Sequence, residues 1–207
     1  MIGDGRLGYN AGLVEGRNNI ANSQKDVYGH LNYKIGGMRM DGVIPGGFQS
    51  ALAATHPWED NSMSIGGFVY NGTATLDPTV QDDEFTMFGG DVNVWFDRLN
   101  LIGAFTNQHD KRPIIASPDS ASDLTSFMVE GSYILYPWLV PLVRLENSKV
   151  KDAQNSDTHL ISAIQFLIRA NVRAALEFNF ASEPSATDPA KTELNFEEFA
   201  FGLTFGL

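Results

Sequence analysis

Apolar and polar side chains alternate through the stretch Asn171–Phe180. Val172, Ala174, Leu176, Phe178 and Phe180 are apolar, and the residues between them are polar or small. Successive side chains of a β-strand point to opposite faces, so the pattern predicts a strand with one apolar and one charged face. The stretch His159–Arg169 alternates less cleanly, with Ser162 as a lapse among the apolar positions and Ile161 and Leu167 among the polar ones. Because only Ala170 separates the two stretches, we predict a tight hairpin.

Ten segments show strand-like patterning, and none shows sustained helical periodicity. The predicted strands are Arg6–Glu15, Lys25–Gly37, Met63–Gly72, Glu84–Asp97, Leu99–Gln108, Leu124–Tyr136, Leu139–Val150, His159–Arg169, Asn171–Phe180 and Glu197–Leu207. The best candidate for a short helix is Phe48–Thr55, within a longer insertion at Met38–Ser62. The patterning therefore predicts one all-β, antiparallel domain over residues 1–207.

The predicted connections alternate in length. Those after strands four, six and eight are minimal (Arg98, Pro137-Trp138 and Ala170), whereas those after strands three, five, seven and nine are longer and polar. Transmembrane β-barrels have short periplasmic turns and long extracellular loops, and a soluble sandwich has no general reason for this asymmetry. Apart from the insertion at Met38–Ser62, the connections favour a transmembrane barrel.

The last predicted strand bears on what the apolar face touches. Its apolar ladder is Phe199, Phe201, Leu203, Phe205 and Leu207, and the opposite face carries Glu198, Ala200, Gly202, Thr204 and Gly206. In a soluble protein the ladder would be core and the other face would meet water. Small residues suit a crowded barrel interior better than an exposed strand face, so we favour contact between the ladder and lipid.

Composition limits the alternatives. The hydrophobic content of 43% argues against disorder, and the net charge of −11 argues against nucleic acid as a partner. The absence of cysteine excludes disulfides, thiolate metal sites and covalently attached c-type haem. The opening residues, MIGDG, have no features of a signal peptide, so we expect a part of a longer exported protein.

Four segments carry a family resemblance: RLGYNAGLVEGRN from Arg6, DVYGHLNYKIGGM from Asp26, NSMSIGGFVYNG from Asn61 and FGGDVNVWFDRLNLIGAFTNQHD from Phe88. They resemble strands of Gram-negative outer-membrane porins, and are most similar to the phosphate- and polyphosphate-selective group. The closing FAFGLTFGL resembles a barrel-assembly signal, although it ends in Leu207 instead of Phe.

The resemblance implies an antiparallel transmembrane β-barrel in the cell outer membrane that works as a channel for ion transport. Such porins have about 16 strands, so we expect the ten segments to be the C-terminal part of a larger barrel. Implied partners are outer-membrane lipid, lipopolysaccharide and small hydrophilic solutes. A homotrimer is compatible with the resemblance.

The alternation also selects candidate pore-lining residues. The charged positions predicted to face the lumen are Lys34, Asp91, Asp97, Glu130, Arg144, Glu146, Arg169, Arg173, Glu177 and Glu198. They could form a selectivity cluster, or they could pair across neighbouring strands, for instance Arg144 with Glu130; we favour pairing. The mixed signs do not supply the ladder of Arg and Lys that a phosphate-selective pore would need.

The rival functional classes have weaker signals. An Asp/His enzyme could use His109 with Asp110 or His159 with Asp157, yet loop histidines are more often only solvated. No nucleophile-elbow, metal-ligand or cofactor motif occurs, so we expect neither an enzyme nor a bound cofactor. The acidic run Asp82–Glu84 could bind Ca²⁺, although plain solvation is the favoured interpretation. A third class is a structural sheath around an electron-transfer partner.

Overall fold

The structure is a computed structural model that describes residues 5–15, 25–36, 61–74, 83–111, 121–151, 156–169, 172–184 and 192–205. These residues form ten strands: β1 (Leu7–Glu15), β2 (Lys25–Gly36), β3 (Ser62–Ala74), β4 (Asp83–Phe96), β5 (Leu99–Asp110), β6 (Ser122–Tyr133), β7 (Leu139–Val150), β8 (Asp157–Arg169), β9 (Val172–Pro184) and β10 (Thr192–Phe205). Over the described residues, the prediction of an all-β fold with ten strands is confirmed.

Every strand pairs with the next one along the chain. The sheet order runs from β1 to β10 without a crossover, and each of the nine pairs is antiparallel. Within the described residues β1 and β10 do not contact each other, so this sheet is open, and the predicted transmembrane barrel is not confirmed. No helix long and apolar enough to cross a membrane occurs in the described part of the chain.

Most strand boundaries lie within a few residues of their predicted positions, and β7 matches at both ends. The hairpin of β9 and β10 is longer than predicted, because Phe180 and Phe196 pack edge to face at 5.7 Å and pairing continues to Pro184 and Thr192. β6 ends at Tyr133, earlier than predicted, and residues 134–138 form its connection. Two predicted features lie outside the described residues. They are the helix at Phe48–Thr55 and the final residue of the last strand, Leu207.

The alternation of connection lengths is confirmed. The connections after β4 and β8 have two residues each and that after β6 has five, whereas those after the odd-numbered strands have six to eleven. The long connection between β2 and β3 is the exception. Asp97, in the turn after β4, adopts φ 52°, a left-handed conformation that Asp tolerates better than most residues. The connections lie at two opposite ends of the strands. We call these the short-turn end and the long-connection end of the sheet.

The register divides the side chains between two faces. The apolar face presents a large apolar side chain on every strand, such as Tyr9, Leu31, Ile65, Phe88, Phe105, Val129, Val143, Ile164, Phe178 and Phe201. The other face, here the polar face, holds all the buried side chains of the described strands: Asp26, Phe85, Asn100, Gln108, Ile161, Ala163 and Ala181. This asymmetry of burial is that of a curled sheet whose polar face is concave.

The apolar face is uncovered. Leu31 is 55% exposed and Phe201 is 64% exposed, and exposed apolar side chains lie on all ten strands between them. A soluble sheet buries its apolar face against a second layer of sheet or helix. The described residues contain one sheet and no helix, so they supply no such layer.

Candidate pore-lining face

Eight of the ten predicted pore-lining residues lie on the polar face by register. They are Lys34, Asp91, Glu130, Arg144, Glu146, Arg173, Glu177 and Glu198. They come from β2, β4, β6, β7, β9 and β10, so strict alternation along separate strands brings their charges to one surface.

The other two predicted residues lie at strand ends. Asp97 falls in the turn after β4, where its backbone N–H donates to Oδ1 of Asn61 at 2.9 Å. Arg169 is the last residue of β8, at a register irregularity opposite Val172. Arg169 and Arg173 therefore lie on either side of the two-residue connection after β8, at the short-turn end of the sheet.

Arg144 lies between two carboxylates on β6 and β7. Glu130 is its register partner, with Nη1 3.7 Å from Oε2, and Glu146 is closer, with Oε1 2.8 Å from Nε. No acceptor is aligned with the buried Nε–H, so the contact with Glu146 is an ion pair without a well-directed hydrogen bond. The favoured pairing of Arg144 with Glu130 is present, and Glu146 adds to it.

His159 continues this charged region across β8, β9 and β10. Its register partner on β7 is Glu146, and its ring nitrogens lie 3.1 Å from Asp157 Oδ1 and 3.5 Å from Glu197 Oε2. Asn179 links the strands, since its Nδ2 donates to Glu197 Oε2 at 2.7 Å. The pairing of His159 with Asp157 considered from the sequence is therefore present, within a wider acidic surrounding.

His30 and Asp91 meet across the intervening strand β3. The distance from His30 Nε2 to Asp91 Oδ2 is 3.0 Å. They reach each other because β3 has a glycine between them: a Cβ placed on Gly66 would lie 2.7 Å from both atoms. No sequence signal identified the glycine gap that lets His30 pair with Asp91.

A buried carboxylate lies near the long-connection end of the polar face. Asp26 is 0% exposed and accepts hydrogen bonds from Tyr70 Oη at 2.7 Å and from the backbone N–H of Thr73 at 3.1 Å. Phe85 stacks on Tyr70 with ring centroids 5.6 Å apart, and Gly72 leaves room for both the carboxylate and the Phe85 ring. Buried carboxylates need such partners, so this cluster ties β2, β3 and β4 together.

His109 makes a different pair from the one considered in the sequence. Its Nδ1 lies 2.5 Å from Oδ1 of Asp123, its register partner on β6, and both lie on the apolar face. Asp110 instead accepts hydrogen bonds from Gln108 Nε2 on the polar face. Among the described residues, no group of three His, Cys, Asp or Glu side chains could hold a metal ion.

Carboxylates outnumber cations on the polar face. Among the described side chains of the strands, the cationic ones on this face are Lys34, Arg144 and Arg173, against Asp26, Asp91, Asp110, Glu130, Glu146, Asp157, Glu177 and Glu198. Arg144 is also shared by two carboxylates. The face therefore carries a net negative charge that its own ion pairs do not cancel.

The apolar face changes character at the long-connection end. A row of uncharged polar side chains follows the apolar positions there: Asn71, Thr86, Asn107, Thr125, Asn147, Thr158 and Ser182. Their side chains bond across strands, for example Asn107 Nδ2 to Thr125 Oγ1 at 3.0 Å and Asn147 Nδ2 to Thr158 Oγ1 at 2.6 Å. We call this row the polar collar; it bounds the apolar face on β3 to β9.

No protein-family model, curated protein or solved structure matches this chain.

Proposed function

We propose that this chain forms part of the wall of an outer-membrane β-barrel, and that the barrel is a porin through which small hydrophilic or ionic solutes diffuse. In this proposal the apolar face touches lipid and the polar face lines water. The long-connection end faces the cell exterior and the short-turn end faces the periplasm, as in other transmembrane barrels.

The observation that carries the proposal is the uncovered apolar face with its polar boundary. Water-soluble monomers rarely expose contiguous apolar patches of more than several hundred Å². On β4 the apolar positions run from Phe88 to Phe96, about 26 Å of strand, and Thr86 of the polar collar follows. At the strand tilt of about 40° that transmembrane barrels have, this length covers about 20 Å of depth, which is most of an apolar band about 25 Å tall.

The open sheet supports a barrel of more than these ten strands. In hydrocarbon every backbone N–H and C=O group needs a partner, so a spanning sheet cannot keep free edges. Because β1 and β10 each keep one edge unpaired within the described residues, further strands or a second chain would have to complete the wall. A wider barrel leaves an aqueous channel, whereas about eight to ten strands leave a lumen filled with side chains.

The alternative function is a small closed outer-membrane barrel with an enzymatic or structural role, including a sheath for an electron-transfer partner. The pairs His30–Asp91 and His159–Asp157 favour the enzymatic version, because a carboxylate-bound imidazole can act as a general base. This version would need β10 to pair with β1.

Planar-bilayer recording from the full-length protein tests the proposal. We expect stepwise conductance, because a water-filled lumen passes ions at a fixed rate in each inserted channel. Insertion into bilayers without any conductance would support the small closed barrel instead. A protein that stays monomeric in buffer without detergent, with Phe199 and Phe201 protected from solvent, would contradict both.

A further inference from the structure

The charged side chains that the structure describes on the apolar face of the strands all lie at its long-connection end. The described ones are Glu15, Lys25, Glu84, His109, Asp123 and Lys149, joined by Lys111 and Lys151 just beyond β5 and β7. Three of the chain's lysines, Lys111, Lys149 and Lys151, thus lie beside one short stretch of the polar collar. In a membrane this stretch would lie at the level of the lipid headgroups.

Lys149 and Lys151 line a surface pocket in this stretch. The pocket has a volume of about 370 Å³, and its other lining residues are Asn107, Asp123 and Thr125. Two neighbours hold the Asp123 carboxylate: His109 Nδ1 at 2.5 Å and Lys151 Nζ at 3.1 Å. Asp123 is therefore already compensated and adds little repulsion toward a second anion.

Lys149 is the lysine of this pocket whose ammonium group has no ionic partner among the described residues. Among the described side chains none forms an ion pair or hydrogen bond with its ammonium group, whereas Lys111 and Lys151 bind Glu84 and Asp123. Asn107 and Thr125 add amide and hydroxyl groups beside it. An ammonium flanked by such polar groups suits a phosphate oxygen, which accepts strong charge-assisted hydrogen bonds.

The surface next to the pocket is apolar. Phe105 and Phe127 are register partners two residues nearer the centre of the sheet than Asn107 and Thr125. Both rings are exposed on the apolar face, together with Val129. A ligand that fills the pocket with an anionic group could therefore place a hydrocarbon chain on these side chains, which a free phosphate ion could not use.

We propose that Lys149 and Lys151, with Asn107 and Thr125, bind the phosphorylated headgroup of an outer-leaflet glycolipid whose acyl chains lie along Phe105 and Phe127. This inference rests on the proposed function, which places the long-connection end at the outer leaflet. The ligand class is a lipid A-type phosphoglycolipid.

The test is native mass spectrometry of the full-length protein in detergent, titrated with bis-phosphorylated lipid A and with dephosphorylated lipid A. We expect the phosphorylated lipid to bind more tightly, and Lys149→Gln to weaken its binding about fivefold, the effect of one basic residue at a membrane surface. Lys149→Gln with Lys151→Gln should weaken it further. Inorganic phosphate should not displace the lipid, because it lacks the chains.

A matched control is Lys25→Gln. Lys25 lies on the same face and at the same end but pairs with Glu15 at 2.7 Å, so its loss should leave lipid binding unchanged. Equal binding of the two lipids, no effect of Lys149→Gln, or displacement by inorganic phosphate would each overturn the lipid site. If the protein conducts in bilayers while one of these results is obtained, the porin proposal stands and only this site falls; failure to insert overturns both.

Discussion

A missing side chain at Gly66 decides which groups meet at the centre of the polar face. His30 on β2 and Asp91 on β4 are two strands apart, and β3 would normally place a side chain between them. With glycine there, the imidazole and the carboxylate come within 3.0 Å. The pair thus depends on a residue that takes no part in it.

We expect Gly66→Ala to destabilise the protein by about 1–3 kcal/mol, the usual cost of overpacking a filled site. The new methyl group would lie 2.7 Å from both His30 Nε2 and Asp91 Oδ2, so the pair must open. Gly67→Ala is the matched control, because at this neighbouring position the nearest atom to an added Cβ is 3.6 Å away. Urea unfolding in lipid vesicles measures the free energy of unfolding of both variants. Equal effects of the two substitutions would contradict the crowding argument.

The buried carboxylate of Asp26 gives a second prediction at this scale. Asp26→Ala removes the acceptor for Tyr70 Oη and for the N–H of Thr73, and we expect a loss of about 2–3 kcal/mol in the free energy of unfolding. Tyr70→Phe removes only one of these bonds and keeps the stacking on Phe85, so its cost should be smaller. A larger loss for Tyr70→Phe than for Asp26→Ala would show that the carboxylate is not the centre of this cluster.

Sequence patterning predicted the faces of single residues better than their partners. Alternation within a strand fixes the side on which Glu130 or Arg144 points, because the period of two is a property of the extended backbone. Partners depend on the register between strands, which single-strand patterning does not contain. His109 therefore pairs with Asp123, fourteen residues away, instead of the adjacent Asp110, whose side chain points to the other face.

At the scale of a strand, β6 offers adjacent positions on opposite faces. Val129 lies on the apolar face between Phe127 and Gly131, and Met128 lies on the polar face opposite Glu146. If the apolar face touches lipid, Val129→Arg should cost about 2–4 kcal/mol, as a cation does at the centre of a barrel's lipid face. Met128→Arg should cost less, because it enters a region of surplus carboxylates.

The free energy of unfolding from vesicles, measured for both variants, checks this prediction. A soluble sheet with its apolar face solvated would tolerate Val129→Arg at least as well as Met128→Arg. That order of stabilities would reject lipid contact at β6.

Element boundaries were less predictable than the elements themselves. Long, regular alternation located all ten strands, but cross-strand contacts extend or end them. Phe180 and Phe196 extend the last hairpin, whereas β6 ends early because the backbone N–H groups of Leu135 and Tyr136 turn to the carbonyl of Leu139. Such effects arise only after strands have paired, so patterning along one strand does not contain them.

At the scale of the whole molecule, the open sheet and the two contrasting faces belong together. A curled sheet with buried side chains on its concave side can be continued by further strands without changing the faces of the first ten. Patterning predicted ten strands and a larger barrel, and the described residues form ten strands with two free edges. How the wall closes depends on groups beyond these edges, which alternation within the strands does not specify.

The charge of the polar face predicts the ion preference of the proposed channel. Rings of carboxylates raise the local concentration of cations in a pore, and this face carries more carboxylates than cationic groups. We therefore expect a potassium-to-chloride permeability ratio above one, measured as the reversal potential of the full-length protein in a salt gradient across a planar bilayer. This is the opposite of the preference that resemblance to phosphate-selective porins would imply.

Asp91→Asn with Glu177→Gln should lower this ratio, because both carboxylates lie on the polar face. Glu84→Gln is the control: Glu84 lies on the apolar face and pairs with Lys111 at 2.6 Å, so the ratio should not change. Preference for chloride in the unmodified channel would contradict the assignment of the polar face to the lumen. An equal response to the control and to the double variant would mean that net charge, and not the lumen-facing carboxylates, sets the preference.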